Sequence, residues 1–175
     1  MMSKPEIQIL LCGVGGQGIN GTTRRLHEHC LSQGWHCLSA VYKGGAQRLG
    51  SVKAEIRLFP LETSEVEHKS SQIMPGTLDV LLVLEQWEGL RNIPMCNKNT
   101  LLVIDDYVEF PPGNRNSLQI QKDPKSLWEL YSNPIIQADF KQQSVQQYGN
   151  TKYTATCMLN AIFARLELPI KPIEK

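Results

Sequence analysis

The stretch LLCGVGGQGI, Leu10 to Ile19, constrains the fold more than any other part of this chain. An apolar run breaks into Gly13, Gly15, Gly16 and Gly18, and Ile19, Thr22, Leu26 and Cys30 then recur at helical spacing. Glycine at this density between a strand and a helix lets another group come close to the backbone. Gly34 stands where a helix C-terminal glycine belongs, and WHCLSAVY reads as the next strand. Strand, tight turn, helix, strand is a βαβ opening.

Other segments fill in the class. SVKAEIRLF alternates, with Val52, Ala54, Ile56 and Leu58 against Lys53, Glu55 and Arg57, which predicts an antiparallel or edge strand with one wet face. LDVLLVLE and TLLVID are continuous apolar runs, the mark of strands covered on both sides, with a short helix around Trp87–Arg91 between them. Residues 106–150 are less regular. DYVEFPPGNRNS, with Pro111, Pro112 and Gly113, reads as a loop; SLQIQ and NPIIQA read as short strands; DPKSLWELY reads as a helical turn capped by Asp123. A last helix carries Ala155, Met158, Leu159, Ile162 and Leu166 on one stripe, with Asn150 or Thr151 as its cap and Pro169 at its end. The expectation is a single α/β domain over residues 1–175, with a mixed, mostly parallel sheet between helices.

Composition narrows the chemistry. Basic and acidic side chains nearly balance, 18 against 17, with no long run of either sign, so neither a nucleic-acid patch nor a membrane-binding basic segment is expected. No run approaches a membrane span, and MMSKPEIQILL lacks a secretory profile. Cys12, Cys30, Cys37, Cys96 and Cys157 are scattered and never form CxxC. That pattern fits reduced thiols in a cytoplasmic protein and argues against a zinc or iron–sulfur site built from this chain alone.

Gly13, Gly15 and Gly18 fit GxGxxG, in which the first glycine makes the turn, the second admits a ligand and the third packs helix on strand. A dinucleotide site also needs an acidic residue after the second strand. Ala40, Val41, Tyr42 and Lys43 stand there, so close packing, or the approach of another chain, is favoured over NAD. An adenylating enzyme needs acidic and arginine residues there, and VYKGGAQRLG supplies only Arg48. His27 and His29 are two apart on a helix, and His36 and His68 lack ligand spacing. Asp105 and Asp106 at a strand end read as turn formers; Glu85 and Glu88 are spaced for one helix face, with Glu85 read as a cap of that helix. Trp87 and Trp128 read as interface anchors or core. No serine elbow or cysteine–histidine motif appears.

Five pieces, in order, resemble the gamma subunit or domain of 2-oxoacid:ferredoxin oxidoreductases. They are GVGGQGI; GGAQRLGSV, similar to a GxxQRGGSV loop; LDVLLVLEQWEGLR; TLLVID; and GN followed by MLNAIFARLELP. The family is of the pyruvate/indolepyruvate type and the QR loop most resembles its indolepyruvate-type branch, although Leu49 stands where the family has glycine. The resemblance implies a Rossmann-like three-layer fold in a cytoplasmic, heteromeric complex with alpha and beta type subunits. That complex oxidatively decarboxylates a 2-oxoacid and passes electrons to ferredoxin. Thiamine diphosphate, iron–sulfur clusters and coenzyme A belong to the complex, with none expected on this chain alone. No catalytic or metal-ligating residue is expected here. Cofactor or partner contacts are expected at Gly13, Gly15, Gly16, Gln17, Gly18, Gly44, Gln47, Arg48 and Ser51. An isolated chain that self-associates through partner surfaces fits the same reading. Two rivals stay open: a free-standing nucleotide- or coenzyme-binding module, and a non-enzymatic scaffold of the same fold.

Overall fold

The computed structural model describes residues 6–45, 50–62, 69–109 and 123–174. Gln47, Arg48, Leu49, His68, Pro111, Pro112, Gly113 and the SLQIQ stretch lie outside the described residues. Six strands form one sheet: β1 Ile7–Val14, β2 Trp35–Lys43, β3 Ser51–Pro60, β4 Leu78–Val83, β5 Cys96–Asp105 and β6 Ile135–Ala138. The helices are α1 Ile19–Ser32, α2 Gln86–Asn92, α3 Pro124–Trp128, α4 Phe140–Tyr148 and α5 Thr154–Arg165. Among the described residues no helix is long and apolar enough to cross a membrane.

The strand order is β2-β3-β1-β4-β5-β6. β1, β4, β5 and β6 run parallel, and β3 is antiparallel to both β1 and β2. The opening βαβ is therefore split: β2 shares the direction of β1, but β3 lies between them. β3 is antiparallel as expected, yet interior; the edge belongs to β2.

Alternation along the strands sorts the side chains into two layers. On one face Ile9, Leu11, Ile56, Val80 and Val103 meet Leu26 of α1, Phe140 of α4 and Met158 and Ile162 of α5. On the other, Leu10, Cys12, Leu81 and Ile104 meet Ile73 and Trp128, with Leu90 of α2 packed against them. The Trp128 side chain is thus core.

The expected wet face of β3 is partly covered. Glu55 is only 5% exposed. Its carboxylate accepts the Ile73 N–H at 2.9 Å and pairs with Lys53 at 3.6 Å. Arg57 pairs with Glu6, which also holds Lys69. A buried carboxylate is tolerated where its lone pairs are satisfied.

α4 interrupts the stretch read as irregular. Asp139 caps it by accepting the Gln142 N–H at 2.7 Å, and Gly149 ends it in the left-handed conformation. Its buried face is only Phe140, Ser144 and Tyr148, at every fourth residue. α5 follows a 3-10 turn over Thr151–Tyr153 capped by Asn150, which accepts the Lys152 N–H. The tail returns over this layer, burying Ile170 and Ile173.

Candidate functional site

The parallel strands and β2 all end at one edge, so their loops gather there. Gly15 donates its N–H to the carbonyl of Gly50 at 2.9 Å. What comes close to the first glycine loop is therefore the second, in the same chain. The second loop closes a hairpin: Gly44 N–H donates to Ser51 O at 2.7 Å, and Ser51 sits opposite Val14 across β1. Between the loops lies a cleft of about 520 Å3, bordered by Gly15, Gly16, Gly18, Lys43, Gly44 and Gly50 among others. Gly16 faces open space, and Lys43 is exposed at the mouth. α1 begins at this cleft with no side-chain cap and no acidic residue in its first turn, so its N-terminal field is uncompensated from within the helix.

Two glycines have definite steric reasons. A Cβ on Gly13 would lie 2.3 Å from Gln17 Oε1 and 3.0 Å from Leu84 Cβ. The space it leaves is taken by the Gln17 amide, which accepts the Val14 N–H at 2.8 Å and donates to Leu84 O at 2.8 Å. Gln17 therefore braces the loop between the ends of β1 and β4. Gly18 has φ +78°, and a Cβ there would stand 3.2 Å from Lys152 O, ahead of α5. It admits the Thr151–Tyr153 turn, whereas GxGxxG logic expects packing of helix on strand.

Two carboxylates at this edge, Glu85 and Asp105, serve the backbone. Glu85 caps α2 through the Glu88 N–H at 2.8 Å and also accepts the Glu109 N–H at 3.0 Å. Asp105 is 1% exposed and accepts the Lys141 N–H at 3.0 Å, fixing the start of α4. Burial pushes its carboxyl up to about 6, against the downward pull of backbone N–H groups. Asp106 takes Gln137 Nε2 at 2.9 Å and pairs with Lys125 at 3.4 Å. Burial first, then Glu88 and Glu85, push the Cys12 thiol well above its ordinary value, so it is a packing residue and no nucleophile. Among the described residues no three His, Cys, Asp or Glu side chains converge as a metal site. His29 engages Lys171 O at 2.7 Å, and His36 packs on Phe59.

The edge thus gathers Gly13, Gly15, Gly16, Gln17, Gly18, Gly44 and Ser51 of the expected site residues. Sequence reading missed the internal role of the Gln17 amide, for which the only signal was a polar residue inside the glycine run.

A family model described as pyruvate ferredoxin/flavodoxin oxidoreductase matches residues 8–175. The chain is 32% identical over 108 residues to indolepyruvate oxidoreductase subunit IorB of Archaeoglobus fulgidus, covering 62% of this chain and 50% of that protein. With the IorB of Pyrococcus horikoshii it is 27% identical over 169 residues, covering 90% and 76%. IorB of Methanothermobacter thermautotrophicus is 34% identical over 106 residues, and the chain covers 50% of it. The chain therefore spans about half the length of the archaeal relatives from Archaeoglobus and Methanothermobacter that it matches. In fold it is similar to pyruvate oxidoreductase subunit PORC of Thermotoga maritima, with TM-score 0.61, 18% identity and coverage of 91% of this chain and 76% of that one. It is also similar to a 2-oxoglutarate:ferredoxin oxidoreductase of Magnetococcus marinus, with TM-score 0.60, 16% identity, and coverage of 91% and 24%.

Proposed function

The chain belongs to the pyruvate ferredoxin/flavodoxin oxidoreductase family, and we propose that it is the gamma-type subunit of a 2-oxoacid:ferredoxin oxidoreductase. In this reading alpha and beta type partners carry thiamine diphosphate and the iron–sulfur clusters, and ferredoxin takes the electrons. The chain's own residues supply a braced backbone cleft. The observation that carries the reading is the junction of the two glycine loops by the Gly15–Gly50 hydrogen bond at the carboxyl edge. α/β folds place their sites at that edge.

Gln47 and Arg48 belong in sequence to the second glycine stretch, Ser51 opens β3, and all three are assigned contacts to a partner, substrate or coenzyme A. The Magnetococcus enzyme was solved with 2-oxoglutarate, coenzyme A and succinyl-CoA bound. The cleft volume and the free start of α1 favour the coenzyme among these, since a helix N-terminus suits a phosphate. The 2-oxoacid is assigned to the pyruvate/indolepyruvate class on the named relatives.

Native purification tests the subunit reading. A brown complex containing thiamine- and cluster-bearing chains is expected. In that complex Arg48→Ala should lower 2-oxoacid oxidation about tenfold or more, the size of a lost charged hydrogen bond. Unchanged turnover removes Arg48 from its role. A colourless, solitary protein whose melting temperature rises with NAD(P), FAD or coenzyme A transfers the cleft to a free-standing module. A solitary protein that binds none of them is the scaffold.

A further inference from the structure

The amino edge of the sheet, at the opposite ends of the strands, holds a second and larger hollow of about 650 Å3. Its walls come from the starts of β1 and β2, the end of β3 and the C-terminal end of α5. Ile7, Trp35 and Leu101, all buried, line it together with Leu166 and Leu168. Small-molecule sites are apolar hollows of roughly 300–1,000 Å3 with a few polar groups at defined places.

The polar groups here carry one sign in excess. Among the described lining residues Glu62 and Glu167 stand at the hollow with Arg165, and Asp79 lies on its wall. Asp79 accepts the Gln8 N–H at 2.8 Å. Among the described residues Glu62, Glu167 and Arg165 take part in none of the ion pairs.

Glu167 adds an independent observation. With φ +51°, it is the non-glycine residue of positive φ among the described residues. It follows the C-cap of α5, where Leu168 N–H donates to Phe163 O at 3.0 Å and Glu167 N–H to Ala164 O at 3.3 Å. That pattern is the one in which glycine is favoured. Here a strained position on the rim of an apolar hollow carries a carboxylate instead.

We propose that this hollow binds a small organic cation, with an aromatic or branched apolar body against Trp35 and Leu101 and an ammonium group between Glu62 and Glu167. The site is separate from the glycine cleft: Ile7 and Trp35 begin the strands that Val14 and Lys43 end. Chemistry in α/β folds sits at the carboxyl ends, so the occupant is an effector and not a reactant.

The test uses the purified full chain and three probes that share a benzene ring: phenethylamine, benzyl alcohol and phenylacetate. Binding is read from the NMR signals of the Trp35 indole N–H and the Leu168 amide, and from melting temperature. Phenethylamine should shift both signals and raise the melting temperature, while phenylacetate at equal concentration does neither. Asn99→Trp should plug the hollow and abolish the response; the Asn99 side chain is exposed, and its backbone N–H bonds to Asn97 Oδ1. Glu167→Gln should weaken phenethylamine about twofold to fivefold, the size of an exposed ion pair. Equal response to amine and carboxylate overturns the proposal. So does no shift at Trp35 from any probe, or amine binding that survives Asn99→Trp with Trp35 unmoved.

Discussion

The two edges of the sheet solve opposite problems. At the carboxyl edge the polar atoms answer one another: Gln17 ties β1 to β4, Glu85 and Asp105 hold helix starts, and Gly15 holds Gly50. At the amino edge apolar walls enclose space, and Glu62, Glu167 and Arg165 remain outside the ion pairs of the described residues. The difference teaches where selectivity resides. A cleft made of backbone is selective through fixed geometry, because its donors cannot change rotamer. A hollow made of side chains selects by volume and charge. The first should be sensitive to any added atom, and the second to changes of charge.

The largest expected effect breaks the carboxyl edge. Gly13→Ala should cost about 2–3 kcal/mol in urea unfolding, because the new methyl displaces the Gln17 amide and orphans two backbone groups. Gln17→Ala should cost about 1–2 kcal/mol for the same orphaned groups. In the Gln17→Ala background the Gly13→Ala penalty should shrink to about 1 kcal/mol, with only Leu84 Cβ left to yield. Additive penalties would mean that the amide is no brace.

Next in size is a pH effect at the same edge. The folded-state pKa of Asp105, about 6, lies above its ordinary value of 3.8. The folded chain therefore holds this proton more tightly than the unfolded chain. The contribution of Asp105 to stability is largest below 3.8, falls as pH rises through this window to about 6, and is flat above it. Asp105→Asn should remove that component from the slope, measured as the difference between the two proteins' unfolding free energies from pH 4 to 7. Identical slopes would place the titration elsewhere.

The smallest effect belongs to the amino edge. Glu167→Gly should stabilise the chain by about 0.5–1 kcal/mol by relieving a left-handed glutamate. It should leave thermal responses to ligands of the glycine cleft unchanged. A loss of stability would show that the carboxylate supports the fold.

Much of this was legible in the sequence where local pattern and burial agree. Leu81 to Val83 and Leu101 to Ile104 read as doubly covered strands because both faces are covered. Asp123 and Glu85 read as caps because their partners are two and three residues away. The failures share a cause, which is distance along the chain. The burial of Glu55 depends on Ile73, 18 residues on. α4 is mostly polar, so its pattern is faint, although Asp139 and Gly149 bracket it in the sequence. The strand directions bring the two glycine loops to one edge. That they would bond to each other required β3 to enter between β1 and β2, which no local pattern encodes.

The reversed strand has one more implication. Because β3 returns directly beside β2, the second loop is a turn between neighbouring strands and not a crossover. Residues can be added to such a turn without rethreading the sheet, at about 0.6 kcal/mol for each doubling of length. Natural variants of this architecture are therefore free to lengthen that tip, and with it retune what the cleft admits, while every layer beneath stays as it is.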